Sequence, residues 1–175
     1  VVDSHGDIGA SLGDPDGIFN NDTRYLSRLE LRINELEPLL LGSNVRDDNT
    51  VLAVDLTNPD IYVQGRLVLP KDTVHIVRTS FVWGDSFYTR IHIRNHGAQP
   101  VSLNLSLDFA SDFADIFEVR GMRRRRRGTH RPEKIDVSGV ALAYMGLDAV
   151  ERSTSLHFDP PPDGISQSRA QYVLS

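Results

Sequence analysis

The chain has 175 residues, with 19 basic and 24 acidic side chains, 39% hydrophobic residues and no cysteine. A domain of that length buries roughly 70% of its unfolded surface, enough for a core without disulfides or a structural metal. This is the composition of a soluble globular protein, and it excludes wholesale disorder, a transmembrane helix, thiolate catalysis and cysteine-ligated zinc.

In chain order, Val1-Val2-Asp3-Ser4 lacks the basic start and apolar run of a signal peptide, and the missing initiator methionine suggests a fragment or trimmed chain. Asp14-Pro15-Asp16-Gly17 has neither the ligand spacing nor the closing Glu of a calcium loop and predicts a turn. Thr23–Ile33 alternates, with Tyr25, Leu29, Leu31 and Ile33 on one face and Arg24, Arg28, Glu30 and Arg32 on the other. That period of two predicts a half-buried strand. Asn34-Glu35 predicts a two-residue turn into Leu36–Leu41, although Glu suits the second position less well than Gly. Val51–Leu56 and Arg66–Leu69 predict two short strands around the turn signal Asn58-Pro59-Asp60.

Val74–Trp83 and Phe87–Arg94 predict a hairpin through Gly84-Asp85-Ser86, and Pro100–Phe109 is expected to follow as the third strand of a meander. In that run Val101, Leu103, Leu105, Leu107 and Phe109 face one way, and Ser102, Asn104, Ser106 and Asp108 the other. Ala110–Val119 fits both helical and alternating spacing; alternation is preferred, with a bulge or single helical turn near Ala110–Asp112. Gly139–Tyr144, Ser153–Phe158 and Gln171–Leu174 complete the strands, and Pro160-Pro161-Pro162 cannot join a ladder. Roughly nine or ten short strands with little helix predict an all-β, antiparallel β-sandwich spanning the chain as one domain.

Charge is concentrated. Residues 120–131 hold seven arginines and no acid, which leaves −12 on the rest of a chain whose net charge is −5. Nearly all the basic charge is arginine, the side chain whose planar fork pairs with carboxylates or phosphates. The Arg123–Arg127 run lacks interleaved aromatics and any recognition motif, so nucleic acid is not expected, and its tip should be solvated unless an acidic surface receives it.

Few patterns carry chemistry. His5, His75, His92, His96, His130 and His157 are scattered; His75 and His92 could face each other across a hairpin, but polar-face residues explain them better. Phosphate-binding glycine loops and nucleophile elbows are absent, and no cofactor or metal is implied. Asp108, Asp112, Asp115 and Glu118, interleaved with Phe109, Phe113 and Phe117, could serve glycoside hydrolysis or a sugar cleft. The competing and preferred expectation pairs these acids with Arg120 and Arg123–Arg127. A carboxylate flanked by guanidiniums makes a poor general acid.

Four strings carry a family resemblance: Phe19–Leu31 (FNNDTRYLSRLEL), Val51–Asp60 (VLAVDLTNPD), Tyr88–Gly121 (YTRIHIRNHGAQPVSLNLSLDFASDFADIFEVRG) and Met145–Pro162 (MGLDAVERSTSLHFDPPP). In consistent order over nearly the whole chain they resemble the amino-terminal domain of bacterial and archaeal glycogen debranching enzyme-like (amylo-alpha-1,6-glucosidase-type) proteins. The resemblance implies a supersandwich-like domain packed against a C-terminal (α/α)-toroid that supplies the catalytic carboxylates. The expected role is a non-catalytic accessory domain of a cytoplasmic glycoside hydrolase, stabilising the toroid and shaping an α-glucan cleft. The Asn34-Glu35 turn and the dense arginine run depart from the family pattern.

Contacts with sugar or the partner domain are then expected at Asp22, Arg24, Tyr25, Asp112, Asp115, Glu118 and Arg120; each could equally fix a loop internally. Two alternatives stay open: a stand-alone carbohydrate-binding module using Trp83 or Tyr88, and a basic-loop module binding an anionic polymer, whose affinity would fall steeply with salt. Without its toroid the domain is expected to expose an apolar face and could form a homodimer.

Overall fold

The computed structural model describes residues 1–9 and 15–175, so Asp14 of the predicted Asp14–Gly17 turn lies outside the described residues. The first strands are β1 (Ile18–Asn20), β2 (Thr23–Leu26), β3 (Arg28–Ile33), β4 (Leu39–Val45), β5 (Val51–Thr57), β6 (Ile61–Val63), β7 (Arg66–Leu69), β8 (Val74–Trp83), β9 (Ser86–Asn95) and β10 (Leu103–Ala110). One helical turn, α1 (Ile116–Val119), precedes β11 (Thr129–His130), β12 (Lys134–Ile135), β13 (Gly139–Met145), β14 (Glu151–His157), β15 (Gly164–Ile165) and β16 (Arg169–Leu174). The fold is all-β and antiparallel, of the sandwich class, with little helix.

Two compact units divide the chain. One spans Val1, Ile8–Glu30 and Ser106–Tyr172; the other spans Val2–Asp7, Leu31–Leu105 and Val173–Ser175.

The second unit holds the sheet β4-β5-β8-β9. The β8–β9 hairpin forms as expected, Trp83 pairing with Ser86 across Gly84-Asp85. Alternation works here because one face is covered: Val74, Ile76, Arg78 and Ser80 are buried, whereas Tyr88, Arg90, His92 and Arg94 are exposed. Asn34 and Glu35 both take positive φ (47° and 64°), closing the predicted turn with paired bonds between Ile33 and Leu36. The hairpin ends there, because Leu39–Val45 pairs with β5. A strand absent from the prediction, β6, pairs with β7 around Gln64-Gly65.

The third strand of the expected meander belongs elsewhere. β10 lies between β16 and β3 in the sheet β15-β16-β10-β3 and does not pair with β9. A central strand covered on both faces loses simple alternation. Ser106 and Asp108, predicted to face solvent, are therefore buried along with Leu107 and Phe109.

In the first unit, β1 and β2 form a hairpin, and β13 takes β14 on one side and β11 and β12 on the other. The expected strand over Ala110–Val119 ends at Ala110. Phe113 turns the chain at φ 50°, and the helical turn forms later than predicted, at Ile116–Val119. Its cause is local. Asp115 is the N-cap, accepting from the Phe117 amide, while Glu118 accepts from the Asp115 amide in a capping box. At the other end the Gly121 amide donates to the Glu118 carbonyl and the Met122 amide to Phe117, the bond pair of a Schellman close.

Candidate functional site

The seven residues expected to contact sugar or the partner domain all fall in the first unit. Asn21 and Asp22 occupy the two left-handed positions of the β1–β2 turn (φ 44° and 61°), so Asp22 is a turn residue. Its carbonyl accepts the Ile116 amide at 2.8 Å. Arg24 donates from its amide to the Ala114 carbonyl (2.8 Å) and from its guanidinium to both Asp112 oxygens, Nε at 3.2 Å and Nη2 at 2.5 Å. Its third donor, Nη1, reaches the Asp16 carbonyl at 3.0 Å. Tyr25 meets Phe113 edge to face at 5.8 Å, and its carbonyl accepts from the Thr154 hydroxyl. The D-T-R-Y and D-F-A-D-I-F-E-V-R-G strings thus lie on each other, joined by a bridge between Thr23 and Asp115.

The expected acid–arginine pairing holds for two of the four acids. Asp115 pairs with Arg124 (2.9 Å), and Glu118 with Arg124 (3.5 Å) and Arg127 (3.0 Å). Asp112 pairs instead with Arg24. Asp108 is buried and accepts from Arg169 (Nε 2.5 Å, Nη2 3.0 Å) and from Arg28 (3.5 Å), which also forks onto Glu30. These partners lie 61 and 80 residues away in the chain, beyond any local pattern. Arg120 is exposed; its amide closes the helical turn, and its side chain makes no ion pair among the described residues.

Next to α1 is a cleft of about 300 Å³. Asp115, Arg124 and Arg127 line one part and Asp148 and Arg152 another, with Phe113, Tyr144, Thr23, Gly128, Gly146 and Leu147 completing it. Phe113 and Tyr144 stack at 5.6 Å with 11° between planes, and the Tyr144 hydroxyl accepts the Gly128 amide at 2.6 Å. Asp148 and Arg152 form a forked pair (2.8 and 3.1 Å) that holds the Asp148 carboxyl down at about 2. Each carboxylate lining the cleft is therefore bound to a guanidinium, a poor arrangement for acid–base chemistry but a dense array of directed donors and acceptors. Phe113 and Asp115, of the acidic–aromatic series that the sequence offered for a sugar cleft, do line it, whereas Tyr144, Asp148 and Arg152 were not expected there, because nothing local ties residues 144–152 to 113–127.

In the second unit, Phe81 and Tyr88 are cross-strand partners on β8 and β9 and stack at 5.1 Å, 14° from parallel. Trp83, two residues beyond Phe81 on the same face, is 76% exposed. His75 lies opposite Arg94, not His92, and bonds Asp55 at 2.8 Å. Among the described residues no group of three potential ligands is placed to hold a metal, and no helix is long and apolar enough to cross a membrane.

An antiparallel all-β sandwich with an aromatic, arginine-bordered cleft is the class of domain these observations define. The family model described as the N-terminal domain of (some) glycogen debranching enzymes matches residues 1–175, and the chain belongs to that family. No curated protein and no solved structure matches it significantly.

Proposed function

We propose that this chain is the non-catalytic accessory domain of a cytoplasmic, glycogen debranching enzyme-like glycoside hydrolase of the amylo-alpha-1,6-glucosidase type. It stabilises an (α/α)-toroid catalytic domain and forms one wall of an α-glucan cleft. The observation that carries this reading is the pairing of every cleft carboxylate with arginine, in a family defined by its place at the N-terminus of debranching enzymes. Hydrolysis by a carboxylate pair needs one acid able to protonate the leaving oxygen, and guanidinium partners favour the charged form. Asp22, Arg24, Tyr25, Asp112, Asp115, Glu118 and Arg120 remain the proposed contacts. Asp22 and Arg120 are the freest to reach outward, whereas Arg24 and Asp112 already hold each other.

The direct test is incubation of the chain with a branched limit dextrin. No glucose release is expected; release at a rate above the uncatalysed background overturns the assignment. Light scattering is expected to show concentration-dependent dimers where the toroid is absent, through exposed apolar residues such as Leu41, Tyr62 and Val68.

A second reading, a carbohydrate-binding module, is favoured by the exposed Trp83 beside the parallel Phe81–Tyr88 pair, since flat aromatic faces stack on pyranose rings. Calorimetric titration with glycogen decides it. Heat abolished by Trp83→Ala supports the module, and no heat at all removes it.

A further inference from the structure

We infer that the cleft beside α1 is a built site for an uncharged sugar ring, with Tyr144, Asp148 and Arg152 as the principal contacts; this rests on the glucan reading above and names the residues that carry it. Its volume, about 300 Å³, lies at the lower end of the range for ligand pockets (about 300–1,000 Å³).

Charge selects the class of ligand. Arg124 and Arg127 are matched by Asp115 and Glu118, and Arg152 by Asp148, so the cleft offers fixed dipoles without a net charge. A phosphate would have to displace carboxylates that already hold the guanidiniums. A polyhydroxylated neutral ring needs no displacement, because each hydroxyl can donate to a carboxylate and accept from a guanidinium at once. Exposed ion pairs contribute little to stability, so sharing them with a ligand costs the fold little.

Two glycines permit the close packing that shapes the wall of the cleft. A Cβ on Gly146 would come within 2.2 Å of the Asp148 carboxylate and 2.8 Å of the Arg152 guanidinium. A Cβ on Gly128 would meet the Tyr144 hydroxyl at 2.8 Å and the Met145 carbonyl at 1.9 Å. The stacked Phe113–Tyr144 pair supplies the apolar part that a sugar ring requires beside its polar edge.

The test is an NMR titration of the isotope-labelled chain with maltotriose at low and moderate salt. Saturable shifts are expected at the Gly128, Gly146 and Leu147 amides and the Arg152 side chain, with a Kd changing less than about twofold with salt because no counterions are released. Asp148→Asn should weaken binding by about tenfold, the scale of one charged hydrogen bond, and Gly146→Ala should weaken it as well. Absence of shifts at these positions, shifts confined to Trp83 and Tyr88, or inorganic phosphate binding there with steep salt dependence would each overturn the proposal. Glucose release by the chain would defeat the accessory-domain reading and leave this site standing, so the two fail separately.

Discussion

Arg78 is the least expected residue of the molecule. It sits on β8 where the alternation calls for an apolar side chain, and it is fully buried. Asp7, itself buried, accepts a very short bond from its Nη1 and another from the Leu31 amide. Burial pushes the Asp7 carboxyl up from its ordinary value, against the pull of the Arg78 charge. Breaking such a pair on one side strands the other charge, so Asp7→Ala should cost about 3–5 kcal/mol in denaturant unfolding. The paired replacement Asp7→Leu with Arg78→Met should recover most of that loss; a double variant as unstable as the single one refutes the assignment. Asp148 behaves oppositely. Its carboxyl is lowered to about 2 by the Arg152 fork, so its stabilising contribution is complete above the ordinary value of 3.8 and lost as pH falls through about 2. A carboxyl-carbon titration should place its midpoint near 2, and Arg152→Gln should move it back toward 3.8.

At the scale of the element, α1 shows how a four-residue helical turn persists without a buried face. None of its residues is buried, so packing cannot hold it. Its ends do: the Asp115–Glu118 capping box and the bonds closing at Gly121 and Met122 satisfy the orphan groups. Asp115→Ala should cost about 1–2 kcal/mol by thermal or denaturant unfolding. Asp115→Asn keeps a capping oxygen while weakening the pair with Arg124, and should cost less; equal losses would assign the effect to the ion pair. The signals for this turn were present in D-I-F-E-V-R-G, with Asp and Glu three apart and Gly after the end. They compete with the alternation of the preceding strand, whose period does not continue past the left-handed Phe113.

For the whole molecule, the arginine run divides by partner. Arg124 and Arg127 are tied to α1, whereas Arg123, Arg125 and Arg126 are exposed and make no ion pair among the described residues. Replacing those three with serine should leave the unfolding free energy within about 0.5 kcal/mol, because surface changes away from packed features cost little. A larger loss would show that the run is structural. Solvation of the tip, expected from like-charge density alone, thus coexists with acids of the chain's own receiving two of its members.

What the sequence determined by itself was local: the β class, the β8–β9 and β13–β14 strands, the Asn34-Glu35 turn and the string resemblance that names the family. These follow from side-chain periodicity and turn chemistry, which act over a few residues. Tertiary structure alone decided that β10 leaves its hairpin neighbours for β3 and β16, that Asp108 is buried between Arg28 and Arg169, and that Tyr144 and Asp148 complete a cleft begun by Phe113 and Asp115. The physical reason is that sheet pairing and ion pairing between distant segments are set by which surfaces meet when the core closes, and that choice leaves no imprint on the spacing of residues within a segment.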